Sequence, residues 1–143
     1  MLSILLVEPH ADTRELYAEF LQHEGFRVIE CDDTDEALGR APMADVVVTG
    51  IRVNGSQDGL GLVRCLRSAE ATRELPIIVL SACAFESDER EALAAGCTAY
   101  LSKPCLPRRL ADVVRAAVKL PRPLPAPRMA RASGAPRRRR KQA

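Results

Sequence analysis

Tryptophan is absent and aromatic residues make up only 3% of the 143-residue chain. The core must therefore be assembled from Leu, Val, Ile and Ala. No apolar run reaches the roughly 18 residues that a membrane-spanning helix needs. The opening stretch Met1-Leu2-Ser3-Ile4-Leu5-Leu6-Val7 has no basic flank and meets Glu8 at once. It predicts a buried strand and not an export signal, and the expected location is cytoplasmic. The five cysteines, Cys31, Cys65, Cys83, Cys97 and Cys105, form no C-x-x-C pair. An odd, widely spaced set argues against a disulfide framework and for reduced thiols. Cys31, Cys65 and Cys97 are expected as small buried hydrophobes.

Acidic residues are missing from one region only. Residues 121–143 hold eight Arg and Lys and no acid, whereas residues 1–120 carry a net charge of −6. Pro121, Pro123, Pro125 and Pro127 alternate there, which forbids helix. A Gly/Ser/Ala/Arg segment follows that is too poor in apolar residues for a core. The expected organisation is one domain over 1–120 and a disordered basic tail over 121–143. No internal repeat is present.

Within 1–120, short apolar runs alternate with amphipathic stretches. Ser3–Val7, Arg27–Cys31, Asp45–Thr49, Pro76–Leu80 and Thr98–Leu101 read as strands, near-continuously apolar as in a sheet covered on both faces. Asp12–Glu24 reads as a helix burying Leu16, Phe20 and Leu21 and stopped by Gly25. A second helix, capped by Asp33 or Thr34, runs to about Arg40. Gly59–Ala69, Glu86–Ala95 and Pro107–Leu120 are the others, the last with Leu106, Leu110, Val113, Val114 and Val118 to bury. Crossover helices between strands imply parallel pairing and a doubly wound α/β sheet. Such sheets bind ligands at the carboxyl ends of their strands. Those ends supply Glu8, Pro9 and His10, then Gly50, then Ser81, Ala82 and Cys83, then Ser102, Lys103, Pro104 and Cys105.

Several of these stretches carry a family likeness. Asp45-Val46-Val47-Val48, the loop ending Asp58-Gly59-Leu60, Ile77-Ile78-Val79-Leu80-Ser81-Ala82, Ala94-Ala95-Gly96 and Tyr100-Leu101-Ser102-Lys103-Pro104 resemble the receiver domain of bacterial response regulators. The likeness covers roughly residues 3–118. It implies a flavodoxin-like (βα)5 fold with a five-stranded parallel sheet in three α/β/α layers. It also implies a place in two-component, phosphorelay-type signalling. In that family two acids after the first strand and an aspartate ending the third hold Mg²⁺, and the aspartate takes a phosphoryl group from a histidine kinase. A Ser/Thr and a Lys contact the phosphoryl oxygens, and an aromatic residue acts as output switch. Ser81, Lys103 and Tyr100 match those last three positions, and Pro104 is the candidate for a cis peptide bond.

The remaining positions depart from the pattern. Glu8 matches the first acidic position, but Pro9 stands at the second and Gly50 at the phosphoacceptor. Neither bears a carboxylate. Thr49 is expected to face the opposite side of the sheet, and its hydroxyl would form only a stable ester. Asp58 lies too far along the loop to replace it. The expectation is a degenerate receiver that is not an enzyme and binds little or no Mg²⁺. Lys103 either keeps a contact to an anion or pairs with Glu8, and the pair is the expectation, because an unpaired buried charge is costly. Ser81 is expected to bond nearby backbone and Tyr100 to pack half-exposed, the alternative being a surviving switch.

The expected function is a stand-alone module that binds a protein partner, such as a histidine kinase, through its fourth helix, fifth strand and fifth helix. One alternative is a conventional phosphorelay protein with an atypical acceptor. Another is a nucleic-acid-associated protein acting through Arg137, Arg138, Arg139, Arg140 and Lys141, a run that would also suit an anionic surface. No folded DNA reader follows in the sequence. His10, Cys83 and Cys105 would meet at one end of the sheet, and a zinc or redox role for them is the minor reading.

Overall fold

The structure, a computed structural model, describes residues 1–82 and 85–119. The tail beyond 119, with Arg137, Arg138, Arg139, Arg140 and Lys141, lies outside the described residues, as does Cys83. Five strands, β1 (Ser3–Val7), β2 (Arg27–Cys31), β3 (Val46–Thr49), β4 (Ile77–Ser81) and β5 (Ala99–Ser102), form one parallel sheet in the order β2-β1-β3-β4-β5. Helices α1 (Ala11–His23), α2 (Thr34–Arg40), α3 (Gly59–Ser68) and α4 (Glu86–Ala95) make the connections, and α5 (Pro107–Lys119) follows β5. This is the flavodoxin-like α/β architecture.

Both faces of the sheet are covered, and alternate strand residues divide between two cores. Leu5, Val7, Val47, Ile77 and Val79 pack with Leu60, Leu62, Val63 and Leu66 of α3, Ala37 of α2 and Ala92 of α4. Ile4, Leu6, Val46, Val48, Ile78 and Leu80 pack with Tyr17, Ala18 and Leu21 of α1 and Leu110, Ala111, Val114 and Ala117 of α5.

Helix starts follow local chemistry. Asp33 caps α2 by accepting from Glu36 N–H at 2.9 Å. Asp58 caps α3 by accepting from Gly61 N–H at 2.8 Å, so its carboxylate is a helix cap. Pro107 opens α5, where its missing N–H leaves no bond unmade.

Several sequence expectations need correction. Leu16 is 58% exposed; the buried stripe of α1 is Tyr17, Ala18 and Leu21. Leu106 is 75% exposed, because it precedes α5 and does not join the stripe that faces the sheet. Cys31 and Cys97 are buried as expected, but Cys65 is only half-buried, with its thiol 3.4 Å from Gln57 Oε1. Burial pushes the Cys97 thiol up to about 11, which makes it inert at neutral pH. A 3-10 turn at Ala41–Met43 was not anticipated.

Arg67 closes the end of the sheet opposite the site. Its Nε donates to Gly96 O at 2.7 Å, and its Nη1 to Arg73 O at 3.0 Å and Leu75 O at 2.6 Å. One guanidinium thus serves three carbonyls on two separate loops. Replacing Arg67 by Met leaves these acceptors unpaired and is expected to lower unfolding stability by about 3 kcal/mol. Urea denaturation of the two proteins checks this, and a loss below about 1 kcal/mol would mean that water replaces the side chain without cost.

Candidate functional site

The strand order reverses direction at β1, so β1 and β3 lie side by side at the switch point. The register pairs Val7 with Thr49, and Thr49 with Val79. Glu8 and Gly50 therefore leave the sheet at one level. Ser81, ending β4, pairs with Ser102, ending β5, and Lys103 follows. A cleft of about 560 Å³ opens over these ends, lined by Glu8, His10, Gly50, Ile51, Arg52, Leu80, Ser81, Ala82, Phe85, Asp88 and Lys103.

Glu8 organises the cleft. It is only 3% exposed, and both of its oxygens are engaged. Oε1 accepts from Lys103 Nζ at 2.8 Å. Oε2 accepts from the His10 backbone N–H at 3.1 Å and contacts His10 Nδ1 at 3.0 Å. Burial by itself raises the carboxyl's pKa. The hydrogen bonds from Lys103 and His10 and the Lys103 charge outweigh burial and hold it below its ordinary range. The segments carrying the pair are anchored separately. Arg14 Nη1 donates to Glu8 O at 2.8 Å, and the Tyr17 hydroxyl to Cys105 O at 2.6 Å.

Position 50 bears no side chain, and the backbone there does not require this. A Cβ on Gly50 would stand 3.5 Å from Val53 Cγ1 and 3.6 Å from Leu80 O, ordinary contacts. The neighbouring constraint falls on Gly59, whose N–H donates to Ile51 O at 2.7 Å. A Cβ on Gly59 would run into the Gly50 carbonyl. The loop from 50 to 59 thus depends on glycine at its far end, and position 50 tolerates a side chain.

The residues singled out from sequence fall as follows. Glu8, Gly50, Ser81 and Lys103 line one cleft. Pro9 adjoins it and offers no donor atom in its side chain. Thr49 is fully buried. Ser81 is buried and Tyr100 half-buried, packed against the core on the α3 side of the sheet. The Lys103–Pro104 peptide bond is cis. His10 is engaged with Glu8, and the Cys105 thiol lies 3.5 Å from Leu106 O. Among the described residues no group of three or more His, Cys, Asp or Glu could hold a metal ion.

A Mg²⁺ site requires oxygen ligands in near-octahedral array; of the two carboxylates in the lining, Glu8 is held by Lys103 and His10 and Asp88 accepts from the Phe85 N–H at 3.2 Å. Arg52 and Phe85 at the rim were not singled out from sequence. Arg52 lies two residues past β3 and Phe85 directly before the acidic start of α4.

Strand order, switch-point cleft and Lys-Pro segment define a receiver-type α/β protein. The family model described as "Response regulator receiver domain" matches residues 4–115, and the chain belongs to that family. The phosphate regulon transcriptional regulatory protein PhoB of Klebsiella pneumoniae is 30% identical over 118 residues, covering 81% of this chain and 51% of that protein. The chain thus spans about half the length of the first curated relatives it matches. The polar-differentiation response regulator DivK of Brucella ovis is 27% identical over 115 residues, covering 79% of this chain and 93% of that protein. The chemotaxis response regulator CheY4 of Vibrio cholerae superposes with a TM-score of 0.76 at 25% identity, covering 82% of this chain and 98% of that one. The receiver domain of the sensor histidine kinase PA1611 of Pseudomonas aeruginosa, solved with a magnesium ion in its active site cleft, gives 0.75 at 29% identity, covering 82% and 97%. No described helix is long and apolar enough to cross a membrane.

The Glu8 carboxyl titrates below its ordinary value of 4.5. Its ionised form therefore stabilises the fold. That contribution is complete above the ordinary value and is lost as the pH falls through the lower native one. Lys103→Met should cost about 2 kcal/mol at pH 7, because it strands a buried carboxylate, and markedly less at pH 3. Glu8→Gln should flatten the acid limb of stability. Denaturant titrations across pH 3–7 check both; equal losses for Lys103→Met at the two ends would show that the pair contributes nothing.

Proposed function

We propose that the chain is a receiver-type signalling module that acts by protein contact without aspartyl phosphorylation, Mg²⁺ or catalysis. One observation carries this reading. Position 50, which has room for a side chain at the floor of the cleft, has none, and Lys103 is paired with Glu8. A glycine cannot form an acyl phosphate, and a lysine bonded to a buried carboxylate is not poised for a phosphoryl oxygen. The partner is a signalling protein, such as a histidine kinase, and the setting is cytoplasmic two-component signalling.

The contact surface in this reading is formed by α4, β5 and α5. Leu93 and Leu106 are exposed there, and Leu106 borders a groove with Tyr100, Pro104 and Arg109. Apolar side chains beside a half-buried tyrosine provide anchors of the kind that protein interfaces use.

Incubating the full chain with acetyl phosphate and Mg²⁺ should leave its intact mass unchanged. Gly50→Asp should acquire at most partial phosphorylation, since Pro9 still withholds one carboxylate and Lys103 still holds Glu8. A gain of one phosphoryl mass by the unaltered chain would refute the reading.

A further inference from the structure

β5 is the last strand of the sheet, so no strand covers its outer edge. A groove of about 450 Å³ lies there and reaches the start of α5, lined by Tyr100, Leu101, Ser102, Pro104, Leu106 and Arg109. Leu106, 75% exposed, and the half-buried Tyr100 give it apolar walls. Helix α4 contacts β5 and fully buries one side chain, Ala92. Its first turn carries Glu86, Asp88 and Glu89. The groove thus joins an aromatic and apolar trough to an acidic helix start.

The sequence holds a segment of matching chemistry. α5 ends at Lys119, and Pro121-Arg122-Pro123-Leu124-Pro125-Ala126-Pro127 follows closely, outside the described residues. Alternating prolines favour polyproline II, and such segments dock in aromatic-lined grooves at a low ordering cost. The lengths agree. From Lys119 back to Arg109 is about 15 Å of helix at ~1.5 Å per residue, and five residues of polyproline at ~3.1 Å bring Leu124 to that level. Two more bring Ala126 to the level of Leu106. The charges agree as well. An arginine beside Arg109 would be repelled, but Leu124 to Pro127 are uncharged. Arg128 and Arg131 come next, beyond the carboxyl edge of the sheet, where α4 begins with its three acids.

We propose that residues 121–127 run back along α5 and seat in the groove at the β5 edge, with Arg128 and Arg131 against the acidic first turn of α4. A short tether gives the segment an effective concentration of about 1 mM, so a contact as weak as ~0.1 mM keeps the groove about nine-tenths filled. A partner that uses α4, β5 and α5 then has to displace the segment. That consequence rests on the reading of this surface as the contact site; the seating itself does not.

The test uses the ¹⁵N-labelled full chain. Backbone order parameters of Leu124 and Ala126 should exceed about 0.6 and fall below it in Leu106→Asp. Met43→Asp, at an exposed position away from the groove, should leave them unchanged. Cys105 also lines the groove. Leu124→Asp should speed its alkylation by iodoacetamide about tenfold, as expected for emptying a groove nine-tenths filled, with Cys65 of α3 as the unaffected reference. Order parameters below about 0.6 in the unaltered chain, no response to Leu106→Asp, or unchanged Cys105 alkylation in Leu124→Asp would overturn the proposal. So would order parameters that rise with protein concentration, which would put a second copy's segment in the groove. No partner enters these measurements, so their failure leaves the contact-surface reading intact, and a partner found to bind elsewhere removes only the consequence.

Discussion

Parallel pairing of five strands is the constraint on which everything else in this molecule depends. It delivers every strand's carboxyl end to one edge, so residues as distant in sequence as Glu8 and Lys103 become neighbours at 2.8 Å. Pairing of β1 with both β2 and β3 places the first and third strand ends side by side. Alternation along the strands splits the apolar side chains between two cores and holds all five helices down. Little freedom remains at the carboxyl edge, and the chemistry there follows from which side chains are supplied.

At that edge, removal of one acid changes the role of the others. With Gly50 and Pro9 offering no carboxylate, Glu8 is the buried acid of the cleft, and a buried carboxylate needs a partner. Lys103 is the cation within reach, and His10 completes the shell. A lysine that would serve an incoming anion in a phosphorylated relative is here occupied by the protein's own acid. Tyr17 and Arg14 hold the two backbone segments that carry the pair. The result is a cleft whose buried carboxylate is engaged on both oxygens.

Much of this was legible from residues alone. β1, β2 and α4 match their expected bounds, and other elements differ by a residue or so at an end, where hydrogen bonding fades gradually. The Glu8–Lys103 pair was anticipated from charge balance. Leu16 was misplaced because periodicity identifies a helix more firmly than it sets which stripe faces the sheet; Tyr17 holds the buried position because its hydroxyl finds Cys105 O. Leu106 was misplaced because it sits in the loop before α5, where helical spacing does not apply. Arg52 and Phe85 gave no signal, and His10 was read as a minor zinc or redox candidate and not as a partner of Glu8, since a loop residue's neighbours depend on how the loop folds.

What the sequence determined by itself is the alternation of strand and helix, hence a parallel doubly wound sheet, and the absence of a carboxylate at positions 9 and 50. Those follow from local apolar periodicity and from residue identity, which need no partner. Tertiary structure alone decided that position 50 has room for a side chain, that Gly59 is the glycine the loop cannot replace, and that Arg52 and Phe85 stand at the rim of the cleft. These are relations between atoms far apart along the chain, and only the packed sheet brings them within contact distance.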